Sequence, residues 1–287
     1  MAMAAAARAS SMLRCRPGLR ARARGMQHDE RVSTHAALLA VVAFVTADTA
    51  ADRFPAPKGF VRVDVPPGSF GAFLRALPLR PAGTPVRAHD GRIVAAPWAK
   101  ATVDLDTGPH DLQQCADSAL RLYAEHRRAQ GTTADLVFHA TSGDPLPWAR
   151  YAAGERPFVK DNRVRWRAPT APTTPSSPAS PAFRAWLDFV FTYAGSSSLR
   201  LDTKAATGPV ALGDLYVLPG FPGHVLVVVD VARDGLGAER LLIGEGYMPA
   251  QDFHLLGWIE PSTDGAVVVD SWPSPFRASM RRRFAAP

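Results

Sequence analysis

The chain has 287 residues, 47% of them hydrophobic, which is enough to bury the core of one large domain or of two small ones. The net charge of +7 is unevenly distributed, because residues 1–32 hold seven arginines against two acidic residues and so carry +5 of it. The remaining +2 gives no support for nucleic-acid binding, and no nucleic-acid partner is predicted.

Residues 1–52 have the features of a leader. An apolar run at 35–47 follows a charged stretch, and its length suits a signal segment and is short for a membrane span. We expect translation to start at Met26 and the protein to be exported to the periplasm or the cell exterior. No later apolar run approaches spanning length, so the mature chain is expected to have no integral membrane segment.

Only two cysteines occur in the chain, and Cys15 lies within the predicted leader. Removal of the leader would leave Cys115 as a single thiol, with no intramolecular disulfide possible. A lone thiol in an exported protein is a candidate reactive group, although a small buried cysteine can also be a simple core residue.

Residues 53–280 are predicted to form a single α+β domain that opens with short strands. The clearest helix is at 111–129, where Asp111 is the predicted N-cap. Cys115 then lies in the first turns, on the apolar face of this helix.

A proline-rich segment at 168–181 precedes a second predicted helix at 182–194. We interpret this segment as a mobile loop or spacer. The C-terminal residues 281–287, which include three consecutive arginines, are predicted to be a solvated basic tail. Binding of phosphate or of an anionic surface is the alternative role for this tail.

The last third of the domain is predicted to be an antiparallel meander. Strands at 213–217, 224–230 and 241–245 are separated by turn signals that contain proline or glycine. In this arrangement Glu245 ends its strand beside His224, which begins the preceding strand.

Cys115 and His224 form a candidate catalytic pair. The N-terminal end of a helix and a nearby imidazolium both favour a thiolate, and the imidazole can pass its proton to a leaving amine. Glu245 is the candidate group that orients the imidazole, with Gln251 and Asp252 as alternatives.

The oxyanion formed during attack on an amide needs hydrogen-bond donors, and the side chains of Gln113 and Gln114 are candidates. Both glutamines can equally be capping residues. No metal or cofactor is predicted, because one mature cysteine and scattered histidines give no zinc ligand set. The sequence also lacks a phosphate-binding loop and a dinucleotide fingerprint.

Three segments of the last third resemble the cell-wall amidase and peptidase superfamily that includes the CHAP and NlpC/P60 domains. These segments are Gly213-Asp214-Leu215, Pro222-Gly223-His224-Val225 and Gly244-Glu245-Gly246. The resemblance implies a papain-like cysteine hydrolase fold, in which a helix bearing the cysteine packs on a small antiparallel sheet. It also implies a triad of Cys115, His224 and Glu245.

A longer stretch, at 54–277, resembles the bacterial family called domain of unknown function 4846. The segments that carry this resemblance are Leu77-Pro78-Leu79-Arg80-Pro81, Asp111-Leu112-Gln113-Gln114-Cys115-Ala116-Asp117 and Gly246-Tyr247-Met248-Pro249-Ala250-Gln251-Asp252. This resemblance covers most of the predicted mature chain and implies no particular activity.

Taken together, these features predict an exported, monomeric cysteine hydrolase that cleaves amide bonds, with the peptides of peptidoglycan as the expected substrate. Two alternatives stay open. One is a non-catalytic envelope binding protein with the same fold, and the other is a peptidyl or acyl transferase with the same triad.

Overall fold

The structure, a computed structural model, describes residues 48–285, which belong to one compact unit. The predicted start at Met26 and the apolar run of the leader lie outside these residues. The predicted leader boundary at residue 52 is wrong, because the domain already includes Thr49 and Ala50. Thr49 caps the first helix, and the fully buried Ala50 donates a backbone hydrogen bond to the Leu77 carbonyl at 2.9 Å.

The described chain contains six α-helices and twelve β-strands. The helices are α1 (Ala50–Arg53), α2 (Phe70–Arg75), α3 (Cys115–Ala129), α4 (Trp148–Ala152), α5 (Pro181–Tyr193) and α6 (Leu199–Asp202). The strands are β1 (Val61–Arg62), β2 (Ala101–Thr102), β3 (Val137–His139), β4 (Pro145–Pro147), β5 (Arg156–Lys160), β6 (Arg163–Arg167), β7 (Thr203–Ala205), β8 (Asp214–Leu218), β9 (His224–Arg233), β10 (Glu239–Glu245), β11 (His254–Ile259) and β12 (Arg281–Phe284).

Eight of the described strands form one antiparallel sheet in the order β2-β11-β10-β9-β8-β12-β7, with β1 paired to the far end of β9. The remaining strands form two separate hairpins, β3-β4 and β5-β6. Helix α3 packs against β9 at the centre of the sheet. The chain is therefore a mixed α/β protein with antiparallel sheets, as predicted at that level.

The central strand β9 is buried on both faces, which explains its uninterrupted apolar sequence. Val225 and Val227 pack into the core beneath α3, whereas Leu226 and Val228 pack into a second core on the opposite face of the sheet. A strand covered on one face only would alternate with polar residues. Burial on both faces makes β9 a rigid support for the residue at its start.

The proline-rich segment at 168–180 contains no helix or strand and is largely exposed. It is tied to the end of α4 by two hydrogen bonds: Ser176 donates its backbone N–H to Ala152 at 2.8 Å, and Thr173 donates its hydroxyl to Ala153 at 2.9 Å. Pro181 is the first residue of α5. In the described part of the chain, no helix combines the length and the apolarity needed to cross a membrane.

The prediction of a solvated C-terminal tail is wrong for residues 281–284. They form β12, which lies between β8 and β7 inside the large sheet. Arg283 donates two hydrogen bonds to the fully buried Asp214, and Phe284 stacks on Tyr123 with the ring centroids 4.1 Å apart. The sheet accommodates the arginine run because Arg281 and Arg283 both pair with the buried Asp214, whereas Arg282 donates to the Thr203 hydroxyl at 2.7 Å.

Phe284→Ala is expected to lower the free energy of unfolding by about 3–5 kcal/mol, the usual cost of removing a buried phenylalanine side chain. Chemical denaturation of the full chain measures this loss. Phe221→Ala is the matched control, because Phe221 is fully exposed and its replacement should change stability by less than about 0.5 kcal/mol. Equal stability of the two variants would mean that Phe284 is not packed in the core and that the C-terminus is a solvated tail.

Candidate active site

The helix that carries the thiol, α3, begins at Cys115 itself. Gln114 is the N-cap residue, and its backbone N–H donates to the Asp117 carboxylate at 3.2 Å. The prediction of Asp111 as the N-cap is wrong, because a separate turn precedes the helix and Asp111 Oδ1 accepts from the backbone N–H of Ala250 at 2.6 Å. Cys115 is therefore at the first helical position, nearest the positive end of the helix dipole.

The thiol is nonetheless in a dry environment. Cys115 is 7% exposed, and its Sγ atom is 3.9 Å from the carbonyl oxygen of Gly223, the last residue before β9. Burial raises the pKa of this thiol to about 12, although the backbone N–H groups of Ala116 and Val225 and its own N–H act in the opposite direction. The expected lowering of the thiol pKa is therefore wrong for this conformation, because the loss of water outweighs the effect of the helix terminus.

His224 and Glu245 lie side by side, as predicted. His224 is the first residue of β9 and Glu245 the last residue of β10, and the antiparallel pairing of these strands brings His224 Nε2 to 2.8 Å from Glu245 Oε2. A carboxylate can only accept, so Nε2 donates and Nδ1 is the basic nitrogen of the neutral ring. This Nδ1 atom is buried, and it has no hydrogen-bond partner within residues 48–285.

Aromatic side chains hold the imidazole ring in place. Trp272 stacks on His224 with the ring centroids 4.7 Å apart and the planes 7° apart, and Tyr247 meets the ring edge at 5.2 Å. The Tyr247 hydroxyl donates to the carbonyl of Ser271 at 3.0 Å, which fixes the tyrosine in turn. The ring therefore has one orientation, with Nε2 toward Glu245.

Glu245 is fully buried and accepts three hydrogen bonds. Besides the bond from His224, its carboxylate accepts from Ser271 Oγ at 2.9 Å and from His254 Nε2 at 3.3 Å. Burial alone would raise the pKa of Glu245, but the hydrogen bonds from the two histidines outweigh it and lower the pKa to about 2. The carboxylate is therefore ionised at neutral pH.

His254 completes this network from the neighbouring strand β11, where it pairs directly with Glu245. Its Nδ1 atom is 3.0 Å from the backbone carbonyl of Asp252, and its Nε2 atom faces the carboxylate. Both partners are acceptors, so His254 links the buried carboxylate of Glu245 to the backbone at Asp252.

The two candidate oxyanion glutamines are engaged elsewhere. Gln113 is fully buried, and its Oε1 atom accepts from Arg121 at 3.1 Å while its Nε2 atom donates to the Asp106 carbonyl at 3.4 Å. The Gln114 side chain donates to Asp111 at 3.1 Å. The backbone N–H groups of Cys115 and Ala116 remain as candidate donors for an oxyanion, since the first N–H groups of a helix have no partner within it.

The alternative orienting residues do not contact His224. Asp252 accepts from the Arg80 guanidinium at 2.8 Å and from the backbone N–H of Arg87 at 2.9 Å, so its carboxylate holds two loops together. Gln251 is buried and forms a backbone bridge with Ala88. Of the three candidates for the orienting group, the structure brings only Glu245 to the imidazole.

Sequence reasoning missed two members of the network, His254 and Ser271. His254 opens the apolar strand β11, and its pairing with the end of β10 could have revealed it. Ser271 lies in an irregular segment, and nothing in the sequence distinguishes it from other serines. In the described residues, no group of three or more acidic, histidine or cysteine side chains is arranged to hold a metal ion.

The close approach of α3 to the end of β10 depends on Gly246, the residue after Glu245. A Cβ atom at this position would lie 2.2 Å from Ser118 Oγ and 2.9 Å from the backbone oxygen of Gln114, and both atoms belong to the start of the helix. Any larger residue would push the Cys115 end of α3 away from the sheet.

Gly246→Ala is therefore expected to lower the free energy of unfolding by about 1–3 kcal/mol, the usual cost of overpacking. Chemical denaturation of the full chain measures the effect. Gly235→Ala is the matched control, because a Cβ atom there would meet nothing within 4 Å. An unchanged stability of the Gly246 variant would mean that the helix terminus is free to shift.

The fold and the site define a mixed α/β protein with a cysteine at a helix start and a buried His–Glu pair on the adjoining sheet. The chain belongs to the family called domain of unknown function 4846, whose model matches residues 50–266. No curated protein and no solved structure matches the chain.

The segments on which the family resemblance rests meet in space. Arg80, from the first segment, pairs with Asp252 of the third at 2.8 Å, and Asp111, from the second, accepts from Ala250 of the third at 2.6 Å. These contacts hold the turn before Cys115 against the loop that follows Glu245. Neither contact involves the thiol itself, and both place the start of the helix.

Proposed function

We propose that the protein is a cysteine hydrolase of amide bonds, and that its substrates are the peptides of peptidoglycan. The observation that carries this proposal is the His224 ring, whose Nε2 atom is bound to an ionised carboxylate and whose Nδ1 atom lacks a partner among the described residues. The Cys115 thiol contacts the backbone carbonyl of Gly223, the residue that precedes His224, at 3.9 Å. A helix that begins at the cysteine and packs on an antiparallel sheet also supports a papain-like core.

The chemistry follows from these atoms. The Cys115 sulfur attacks the carbonyl carbon of the amide and forms a C–S bond, while the thiol proton passes to His224 Nδ1. Backbone N–H groups at the start of α3 stabilise the oxyanion. The C–N bond then breaks, His224 protonates the departing amine, and water hydrolyses the thioester to a carboxylic acid and the free thiol.

Glu245 acts by holding the imidazole with Nδ1 available, and by stabilising the imidazolium that forms during the reaction. Burial raises the pKa of the resting thiol to about 12, which favours general-base attack, in which His224 takes the proton as the sulfur attacks.

One observation favours a second candidate, the non-catalytic binding protein. Cys115 is 7% exposed and His224 is fully buried, so a substrate reaches the sulfur only if the covering residues move. A binding protein of the same fold would have no need of such a movement.

Digestion of peptidoglycan fragments by the full chain separates these functions. A hydrolase releases new primary amines and carboxylic acids, and prior alkylation of the thiol stops the release. A transferase gives a new amide when an amine acceptor is added. Binding to the fragments without any new amine would overturn the proposal in favour of the binding protein.

Export is also part of the proposal, and it is supported by the apolar run at 35–47. Cell fractionation of the expressed full chain tests it.

A further inference from the structure

The hairpin of β5 and β6 carries an array of positive charge that the proposed hydrolase chemistry does not use. Its register pairs Arg156 with Arg167, Phe158 with Arg165 and Lys160 with Arg163. Because side chains alternate along a strand, all six of these residues lie on the same face of the hairpin. The face is thus two rows of cations around one phenylalanine.

The opposite face of the hairpin anchors it to the protein. Val164 and Trp166 are partly buried and pack against the main core, whereas Arg163, Arg165 and Arg167 are all exposed. The cations are therefore not a flexible tail but are held in a fixed array on a strand pair.

The array is electrostatically unfavourable by itself. Arg156 faces Arg167 and Lys160 faces Arg163 directly across the strands, and like charges in that position destabilise a hairpin. Asp144 compensates Arg163 through two contacts at 3.0 Å. Lys160 and Arg165 have no acidic partner within residues 48–285.

The charge is also concentrated here relative to the rest of the domain. Residues 156–167 hold five basic residues against Asp161 and so carry +4, whereas the whole of residues 48–285 carries +2. The remainder of the described chain is therefore slightly negative. A concentrated positive face on such a background is expected to orient the molecule toward a negatively charged partner.

We propose that this face docks on an anionic lipid surface. Neighbouring cations are about 7 Å apart along β6, about 14 Å apart along β5 and about 5 Å apart between the strands, so they form a two-dimensional array that matches a layer of lipid phosphates better than a linear polymer. This inference does not depend on the proposed hydrolase activity.

Hydrogen exchange of the full chain tests the proposal locally, because residues 1–32 are also basic and could bind vesicles by themselves. Vesicles of phosphatidylcholine with phosphatidylglycerol should slow amide exchange of peptides covering 156–167, and vesicles of phosphatidylcholine alone should not. Lys160→Gln combined with Arg165→Gln and Arg167→Gln should raise the lipid concentration for half-protection by about 100-fold, or about fivefold for each charge. Arg277→Gln, at an exposed arginine outside the hairpin, should leave it unchanged.

Two results would overturn the proposal. One is binding of the full chain to anionic vesicles with no change of exchange at 156–167, which would assign the binding to the N-terminal segment. The other is protection of the hairpin by single-stranded DNA or by poly(glycerol phosphate) at a lower phosphate concentration than the vesicles require. Thermal unfolding of the triple variant shows whether it is folded, which is expected because the substitutions relieve repulsion between like charges.

Discussion

Cys115→Ser is expected to reduce amine release from peptidoglycan fragments by at least about 10³-fold. Serine keeps the size of the side chain, but its hydroxyl is a much weaker nucleophile than a thiol that loses its proton to a base. The fold should survive, because the replacement changes one atom of a small side chain and leaves its packing volume nearly unchanged.

The second cysteine of the chain provides the matched control. Cys15→Ser should retain full amine release, since Cys15 lies outside the residues that form the site. Retention of more than about one tenth of the activity by Cys115→Ser would rule out the thiol as the nucleophile.

Glu245→Gln is expected to reduce amine release by about 10²- to 10⁴-fold and to lower the free energy of unfolding by about 3 kcal/mol. The carboxylate accepts hydrogen bonds from His224, His254 and Ser271. An amide offers a single oxygen, and its NH₂ group would face a donor in a fully buried site. Loss of the acceptor would also free the imidazole to adopt the wrong tautomer.

Glu239→Gln, at the other end of β10, is the matched control for this charge removal. Glu239 pairs with Arg233 in a partly exposed ion pair, which is worth about 1 kcal/mol or less. Similar losses of stability in the two variants would contradict the special role of the buried network.

Acid provides an independent test of the same network. Since folding lowers the pKa of Glu245 from 4.5 to about 2, its ionisation contributes stability that is fully present above about pH 4.5 and is lost as the pH falls toward 2. The difference in unfolding free energy between wild type and Glu245→Gln should therefore shrink over that range. A difference that is independent of pH would contradict the lowered pKa.

The positions of Cys115, His224 and Glu245 could be predicted because local signals determine them. An apolar stripe identified the helix, and a proline-glycine turn followed by an apolar run identified the start of β9. Antiparallel pairing of successive strands then places the residue at the end of β10 near the residue at the start of β9. These arguments require no knowledge of the remainder of the fold.

The parts that failed depend on contacts between distant residues. The start of α3 was misplaced because aspartate is a common N-cap residue. In the structure the Asp111 carboxylate instead accepts a hydrogen bond from the backbone N–H of Ala250. Residues 281–284 were assigned to a tail because the buried partner of the arginines, Asp214, lies about 70 residues earlier. The raised pKa of Cys115 was missed because burial on the sheet cannot be read from helix position alone.

The alkylation rate of Cys115 tests the central claim, that His224 takes the proton of the thiol. Burial raises the pKa of this thiol to about 12, so little thiolate is present at pH 7 and its reaction is expected to require a base. Iodoacetamide labelling of the full chain near pH 7, followed by mass spectrometry, gives the rates at Cys115 and at Cys15 separately. We predict that His224→Gln slows labelling at Cys115 by about tenfold or more and leaves Cys15 unchanged. Equal rates at Cys115 in the two proteins would contradict the account and leave Cys115 as a core residue.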